Sequence, residues 1–543
     1  MRNVAIVLDL NRTMKLVEYS AQQLFDIVVE TIKFGKRKYH EHYDVTVEKA
    51  KFYQQIMTGD DQEDLLVKYK DKESGEDKQQ RIRLTNSRTQ YASGKVWSVF
   101  NEVSRSDNVV EVIKYPDESD TNTKKLDEIN ERLKKFHGYE NALQYTYESI
   151  RRLNFYDPNS FLVVNFTPFD HTKSKTEFVY PVEVTSKQAI RYEYSNGNLV
   201  YLLFYKDIYF ETQDDIGKPA QKKGKHYFLY AADIAYEFIQ LPEDNPEIKP
   251  GFAPIEIETV PELYNADGSP TKFQWTMHDL KSKNIPVMRA GYIHDASKQR
   301  AICVSPMQPA EKLLLDLIWT KSEYDLGKAL HWFYQKFIYA PDCTFEGDEE
   351  QGSCNQGKMT GTGEVCPVCE GTGLQIHTTV QDVIVLRLPQ SAEDIVPLSN
   401  MVHYENIDIG IGQHLQEDYK GIEADIFKAI FNSQAFDRSE IAVTATEKNL
   451  DLRAVKNVLI DFGDHVSRVY KFIVEMTAIY LDNDEGLMVQ HKHPKDFKFY
   501  DLETLIGIRD AAVKAGAPYQ VVRNLDLEIL GMQHLDNPEV VTM

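Results

Sequence analysis

Four of the five cysteines in this 543-residue chain, Cys343, Cys354, Cys366 and Cys369, crowd into one short stretch. Thiolates grouped this closely in an otherwise cysteine-poor chain point to metal binding, not to a disulfide framework. Cys366-Pro-Val-Cys369-Glu-Gly-Thr-Gly373 reads as a knuckle. Two thiolates two residues apart hold one metal, and the following glycines permit a tight turn that points backbone N–H groups at sulfur. A second pair closes a tetrahedral zinc site, although ten residues separate Cys343 from Cys354 where two to four are usual. His377 is the substitute ligand if Cys343 is not used. Four sulfurs leave no open coordination position, so the expected zinc is structural and not catalytic. Cys303, within Ala301-Ile-Cys-Val304, reads as a small core residue.

The surroundings of the knuckle are acidic. Between Tyr339 and Ile376 lie seven acids (Asp342, Glu346, Asp348, Glu349, Glu350, Glu364, Glu370) and one base, Lys358. This argues against a nucleic-acid zinc ribbon and for a metal that fixes a small extension too poor in core to fold alone. The whole chain carries 62 Lys and Arg against 84 Asp and Glu, a formal charge of −22. Tight, stationary nucleic-acid binding needs the opposite balance. No apolar run spans a bilayer, and Met1–Leu10 carries Arg2 and Asp9 without a cleavage site, so the chain reads as soluble and unexported.

Catalytic motifs are absent. There is no phosphate-binding G-x-x-x-x-G-K-[ST], no H-E-x-x-H, no G-x-S-x-G and no strand-to-helix G-x-G-x-x-G. Arg438 lies in a polar loop between two helical patterns, Asp461-Phe-Gly-Asp464-His465 reads as a polar helix face, and His491 and His493 read as a solvated turn before Pro494.

The elements that must position these residues follow from periodicity. Leu24, Ile27, Val28, Thr31 and Ile32 recur at helical spacing, and Lys68–Arg83 reads as an exposed loop or hairpin tip. A helix is expected over Asp127–Leu153, stopping at Asp157-Pro158. Residues 159 to 305 read as mainly sheet, with strands at 161–166, 177–180, 189–194 and 199–205, a hairpin turn at Ser195–Asn198, and long polar connections at 212–225 and 241–251. Pro306 and Pro309 open a helix running to about Phe337, with Leu313, Leu314, Leu317, Ile318, Leu330 and Phe333 buried. A strand is expected at Val380–Leu388. A helix over about 411–431 buries Leu415, Tyr419, Ile422, Ile426 and Ile430 opposite a charged face (Glu417, Asp418, Lys420, Glu423, Asp425, Lys428). A long helix from about Thr444 carries Val455, Leu459, Phe462, Val466, Val469, Ile473, Met476 and Tyr480. Two or three shorter helices, broken at Gly516-Ala-Pro518, fill Leu502–Gly531.

This order of elements resembles the second half of a tailed-bacteriophage portal protein. Asn284-Ile-Pro286 with Gly291-Tyr292 resembles a portal wing leading into the first stem helix. Ala442-Val-Thr-Ala-Thr-Glu447, with Asp464-His-Val-Ser-Arg-Val-Tyr-Lys-Phe472, is similar to the tunnel loop and tunnel helix. Asp496-Phe-Lys-Phe-Tyr-Asp501, Leu505-Ile and Ala515-Gly-Ala-Pro518 resemble the portal C-terminal segment, and Arg151–Pro158 with Phe161–Val164 resembles the wing's helix-to-sheet transition. The likeness covers about residues 125 to 531 and rests on co-occurrence, and a zinc knuckle in the clip departs from the better-known members.

The resemblance implies an α+β, portal-like fold: a wing at 1–305, a first stem helix at 306–337, a clip with the Cys-rich insertion at 338–408, a second stem helix at 409–431, a tunnel loop at 432–443, a long tunnel helix at 444–482 and a helical crown at 483–543. It also implies a homo-oligomeric ring of about twelve subunits at one capsid vertex of a virion, assembled in the host cytoplasm. Terminase, adaptor or tail proteins and capsid proteins are the implied partners, and double-stranded DNA is passing cargo, with no membrane and no enzymatic activity. Gln434, Asp437, Arg438 and Ser439 of the tunnel loop are the implied DNA-facing residues. An acidic wall suits a conduit that must not hold its cargo. Two rival readings are a zinc-stapled structural or adaptor protein of another assembly, and a phage nucleic-acid-processing enzyme.

Overall fold

A computed structural model describes residues 19–66, 73–85, 88–106, 109–117, 119–134, 136–166, 179–195, 197–213, 219–241, 251–257, 271–280, 285–298, 301–330, 335–340, 342–348, 350–374, 383–387, 402–405, 409–433, 445–494 and 502–533. The fold is α+β and divides into two compact units. The first comprises residues 1–54, 95–308 and 430–543, and the second comprises 55–94 and 309–429. No described helix is long and apolar enough to cross a membrane.

The chain begins with α1 (Ala21–Phe34), α2 (Tyr43–Thr58), α3 (Gly75–Leu84) and α4 (Thr89–Ser104), then β1 (Val110–Lys114), α5 (Asp120–Leu133) and α6 (Ala142–Tyr156). Strands follow: β2 (Phe161–Phe166), β3 (Val179–Val184), β4 (Ala189–Ser195), β5 (Asn198–Gln213), β6 (Pro219–Tyr230), β7 (Ile234–Gln240), β8 (Ala253–Glu256), β9 (Lys272–Asp279) and β10 (Val287–Arg289). Then come α7 (Glu311–Leu330), β11 (Gln335–Ala340), β12 (Cys354–Asn355), β13 (Lys358–Met359), β14 (Val383–Arg387), β15 (Val402–Glu405), α8 (Ile409–Phe431), α9 (Ala445–Tyr480), β16 (Met488–Lys492), α10 (Leu502–Lys514) and α11 (Tyr519–Gln533).

In the first unit, six strands form a sheet of order β4-β5-β6-β7-β9-β8, and three form a sheet of order β10-β2-β3. The apolar run of β5 explains how they meet. Tyr201 and Leu203 face one way, into a core with Leu24, Ile27, Val28 and Ile32 of α1. Leu202 and Phe204 face the other way, into a core with Phe161, Val163, Val184 and Val287 of the smaller sheet. Alternate side chains of a strand leave opposite faces, so burial on both faces requires an unbroken apolar run. Helix α1 starts on a capping box in which the Ser20 hydroxyl accepts from the Gln23 amide while the Gln23 side chain accepts from the Ser20 amide. All eight apolar residues expected along α9 are buried.

Several expectations are corrected. The 68–83 stretch expected as a loop contains α3, on which Arg81 is buried and paired with Glu73 at 2.8 Å. The helix expected over 127–153 is two helices, because the chain turns at Phe136–Gly138, with His137 and Gly138 at φ +48 and +85. The connection expected at 212–225 is a hairpin in which β5 and β6 stay paired out to Gln213 and Pro219. Helix α7 ends at Leu330 and not near Phe337, since Gln335–Ala340 pairs as β11 between β14 and β15. Of its expected core, Leu314, Leu317 and Ile318 are buried and Leu313 is only half-buried, while the side chains of Leu330 and Phe333 lie outside the described residues. On α8, Tyr419, Ile426 and Ile430 are buried while Leu415 and Ile422 are only half-buried, and Glu423 of the expected charged face is withdrawn into an ion pair with Arg88 at 2.9 Å.

Candidate metal centre

The cysteine module occupies the crossover between two parallel strands. β11 and β14 pair in parallel, Lys336 opposite Val383 through Ala340 opposite Arg387. Such a pair needs a connection of a dozen or more residues, most often a helix. Here residues 342–374 fill that role with short hairpins. The module is closed at its base by a bridge between Asp342 and Leu374 and by the Cys343 amide donating to the Gly373 carbonyl at 2.9 Å.

Each hairpin brings sulfur inward. The Gln351 amide donates to the Asp348 carboxylate at 3.0 Å, and the chain returns so that the Cys354 amide reaches the Phe345 carbonyl at 2.8 Å. That return explains how Cys343 and Cys354 meet despite ten intervening residues. β12 and β13 form a second hairpin around Gln356 and Gly357, at φ +50 and +90. The knuckle closes with the Glu370 amide donating to the Cys366 carbonyl at 2.9 Å, and the Cys366 amide itself donates to the Gly357 carbonyl at 2.8 Å.

The four thiol sulfurs all lie within 4.8 Å of one another, and Cys354 Sγ is 3.6 Å from Cys369 Sγ. Sulfurs around a tetrahedral zinc at about 2.3 Å sit about 3.8 Å apart. No disulfide joins any of the four. Cys343, Cys366 and Cys369 are buried and Cys354 is half-buried. Among the described residues this is the only group of three or more cysteine, histidine or carboxylate ligands that converge. Its donor set of four thiolates suits a soft or borderline tetrahedral ion.

Electrostatics differ among the sulfurs. Desolvation opposes the Cys369 thiolate, yet the Gly373 N–H, the Cys354 thiol and the Gly371 N–H outweigh it and bring Cys369 down to about 7. Desolvation raises Cys343 and Cys354, against the Phe345 and Gly357 N–H groups respectively. Backbone N–H groups of the glycine turns thus favour thiolates, the form that binds metal. Around the sulfurs pack Met359 and the half-buried Phe345, and Leu374 at the base is the other buried large apolar side chain of the module among the described residues. Asp342, Glu346, Asp348, Glu350, Glu364 and Glu370 are exposed around it, with Val365 and Val368.

The other expected site residues have different fates. His377 lies outside the described residues, as do Gln434, Asp437, Arg438 and Ser439. Cys303 is fully buried, as expected of a core residue, and its amide donates to the Asn159 side chain at 2.8 Å.

Three histidines expected on the surface are buried in the first unit. His465 stacks on Tyr292 with ring centroids 5.2 Å apart, and its Nε2 lies 2.7 Å from the Ala290 carbonyl. His491 and His493 lie on or beside β16, which pairs with β1 far away in the chain. Ser467 Oγ sits 2.9 Å from His491 Nδ1, and the Tyr147 hydroxyl sits 3.1 Å from His493 Nε2. Desolvation lowers His491, and it drives both His465 and His493 down to about 4. The signal in the sequence was the i, i+2 alternation of Val489, His491 and His493, which reads as the inner face of a strand. No protein-family model matches the chain, and no curated protein matches it either.

Proposed function

We propose that this chain is the subunit of a portal-type ring, a homo-oligomer of about twelve copies at one capsid vertex that conducts double-stranded DNA in packaging and ejection. Terminase, adaptor or tail proteins and capsid proteins are its partners in this reading, and it performs no catalysis. The observation that carries it is the order of elements: helix α7, a compact insertion with its own small sheet, helix α8, and then the 36-residue α9, about 54 Å at 1.5 Å per residue. The amphipathic face of α8 supports packing against like helices. The charge of −22 supports a channel through which phosphate slides without being held.

In this reading zinc is held by Cys343, Cys354, Cys366 and Cys369 as a structural ion, and the module is the clip. The ion would supply the cross-link that a core of so few apolar side chains lacks. A second reading, a zinc-stapled adaptor of another assembly, draws support from the exposed Val365 and Val368 on an acidic module. The oligomeric state separates the two, a ring for the first and a monomer or dimer under all assembly conditions for the second. A finer test addresses the segment 432–443 proposed as the tunnel loop. Arg438→Glu is expected to impair DNA retention or packaging more than ring assembly, and an equal loss of assembly contradicts a channel-facing role.

A further inference from the structure

Arg289 is a cation that the first unit holds in place without giving it an opposite charge. It stands on β10 opposite Phe161 of β2, and its two outer nitrogens donate to the Ala301 carbonyl, at 3.0 Å, and to the Asn159 side chain. Those two bonds fix the plane of the guanidinium. Its Nε is buried without a hydrogen-bond partner, and among the described residues no carboxylate pairs with the group. Asp157 feels its charge but is committed elsewhere, accepting from the Ser186 amide at 2.7 Å and from the Ser186 hydroxyl.

Aromatic rings flank the charge. The guanidinium carbon lies 5.8 Å from the ring centres of Phe161 and Tyr192 and 5.9 Å from that of Tyr194. His40 lies against Tyr192 with ring centroids 4.3 Å apart, and desolvation together with the Arg289 charge drives it down to about 3, so it is neutral. Rings attract a cation without cancelling its charge, and a buried charge lacking a counter-charge is costly.

Arg289, Tyr192, Tyr194 and His40 all line one cavity of about 1700 Å³, and every residue of its wall belongs to the first unit. That volume is ample for a small molecule. The acids of the wall leave the guanidinium unpaired: Glu193 accepts from the Tyr19 hydroxyl at 2.7 Å, and Glu41 and Asp233 are exposed. Arg468, also exposed, adds a second positive charge. Aromatic walls around one anchored, unpaired guanidinium select a flat ligand that carries an oxyanion.

We propose that this cavity binds a small aromatic molecule bearing a carboxylate or phosphate group, the oxyanion accepting from the Arg289 guanidinium and the ring lying against Tyr192 and Tyr194. The site stands apart from the ring reading, because one chain supplies all of it.

Calorimetric titration of the full chain in chloride buffer tests it, with benzoate and phenyl phosphate as the aromatic anions and with inorganic phosphate and benzyl alcohol as the two halves. Saturable binding of an aromatic anion with a Kd of about 1 mM or below is expected, and the tighter of the two identifies the acid group. Inorganic phosphate and benzyl alcohol are each expected to bind at least tenfold more weakly, as is the tighter aromatic anion to Arg289→Gln, whose fold is checked by circular dichroism. That variant also loses two internal bonds, so wild type supplies a second readout. Phenylglyoxal labelling of Arg289, read by peptide mass spectrometry, is expected to fall at least fivefold in saturating phenyl phosphate and to stay unchanged in benzyl alcohol. The proposal is overturned by any of four results: no saturable binding of either aromatic anion, inorganic phosphate that binds as tightly as they do, a folded Arg289→Gln that binds like wild type, or Arg289 labelling that phenyl phosphate leaves unchanged.

Discussion

Gly357 and Gly371 meet backbone to backbone across the cysteine module: a Cβ built on Gly357 would stand 2.2 Å from the Gly371 carbonyl oxygen. Gly357 also sits at φ +90, which disfavours any L side chain. Its neighbour Cys354 and the knuckle glycine Gly371 belong to opposite arms, so this approach sets how closely the sulfurs converge. Gly357→Ala is therefore expected to separate the arms and weaken metal binding at least tenfold in a chelator competition. Gly363→Ala is the control. Gly363 has φ +72 but open space around its Cβ, and strain of about 1 kcal/mol is the expected cost, with metal retained. Equal affinities in the two variants would contradict this account.

The metal itself is checked by elemental analysis. One zinc per chain is expected in protein purified without chelator, and Cys366→Ser is expected to lose it and to expose the module to proteolysis. Cys303→Ala should keep the full complement and cost about 1 kcal/mol from its buried position. Zinc-free wild type whose stability equals that of Cys366→Ser would remove the metal from the account.

Protonation of the buried histidines predicts acid lability. His465 and His493 are held near 4 by desolvation, below the value of about 6.5 expected in the unfolded chain. A group whose folded value is depressed favours the fold while neutral, so stability is complete above about pH 6.5 and falls as the pH drops toward 4. Each contributes on the order of 3 kcal/mol across that window. Around His493 the facing groups are Tyr147, Ser106 and His491, and Glu111 bonds Tyr470 beside His491 at 2.5 Å. His493→Asn is expected to lower Tm at pH 7.5 yet flatten its decline between pH 6.5 and 4.5. Parallel Tm curves for the two proteins would show that His493 does not titrate in that range.

Within the second unit, Arg88 is held by Glu423 at 2.9 Å and lies over the rings of Tyr91 and Tyr419. Glu423→Gln removes the charge from a buried carboxylate whose partner remains, and a loss of about 1 to 3 kcal/mol is expected. Glu417→Gln, on the exposed side of the same helix, should change stability by less than about 0.5 kcal/mol. Chemical denaturation separates the two outcomes.

Much of this was legible in the sequence where the information is local. The stripe along α9, the core face of α1 and the antiparallel pairing of Ser195 with Asn198 depend on residues within a few positions of each other, and they appear as expected. The cysteine cluster was legible because thiol spacing encodes convergence directly. What escaped was non-local. Nothing near Lys68–Arg83 announces that Arg81 will find Ser322, 241 positions on, and polar residues without a visible partner read as loop. The burial of His491 depends on β1, some 380 positions earlier in the chain, pairing with β16. Strand β11 escapes a reading from periodicity because the apolar residues after Leu330 fit either a helical or a strand period over so short a run.

The most direct measurement of the central claim is the assembly state of the purified full chain, by native mass spectrometry together with negative-stain imaging. Closed rings of about twelve subunits with a central channel are the predicted result. A chain that remains monomeric or dimeric under every assembly condition contradicts the portal reading.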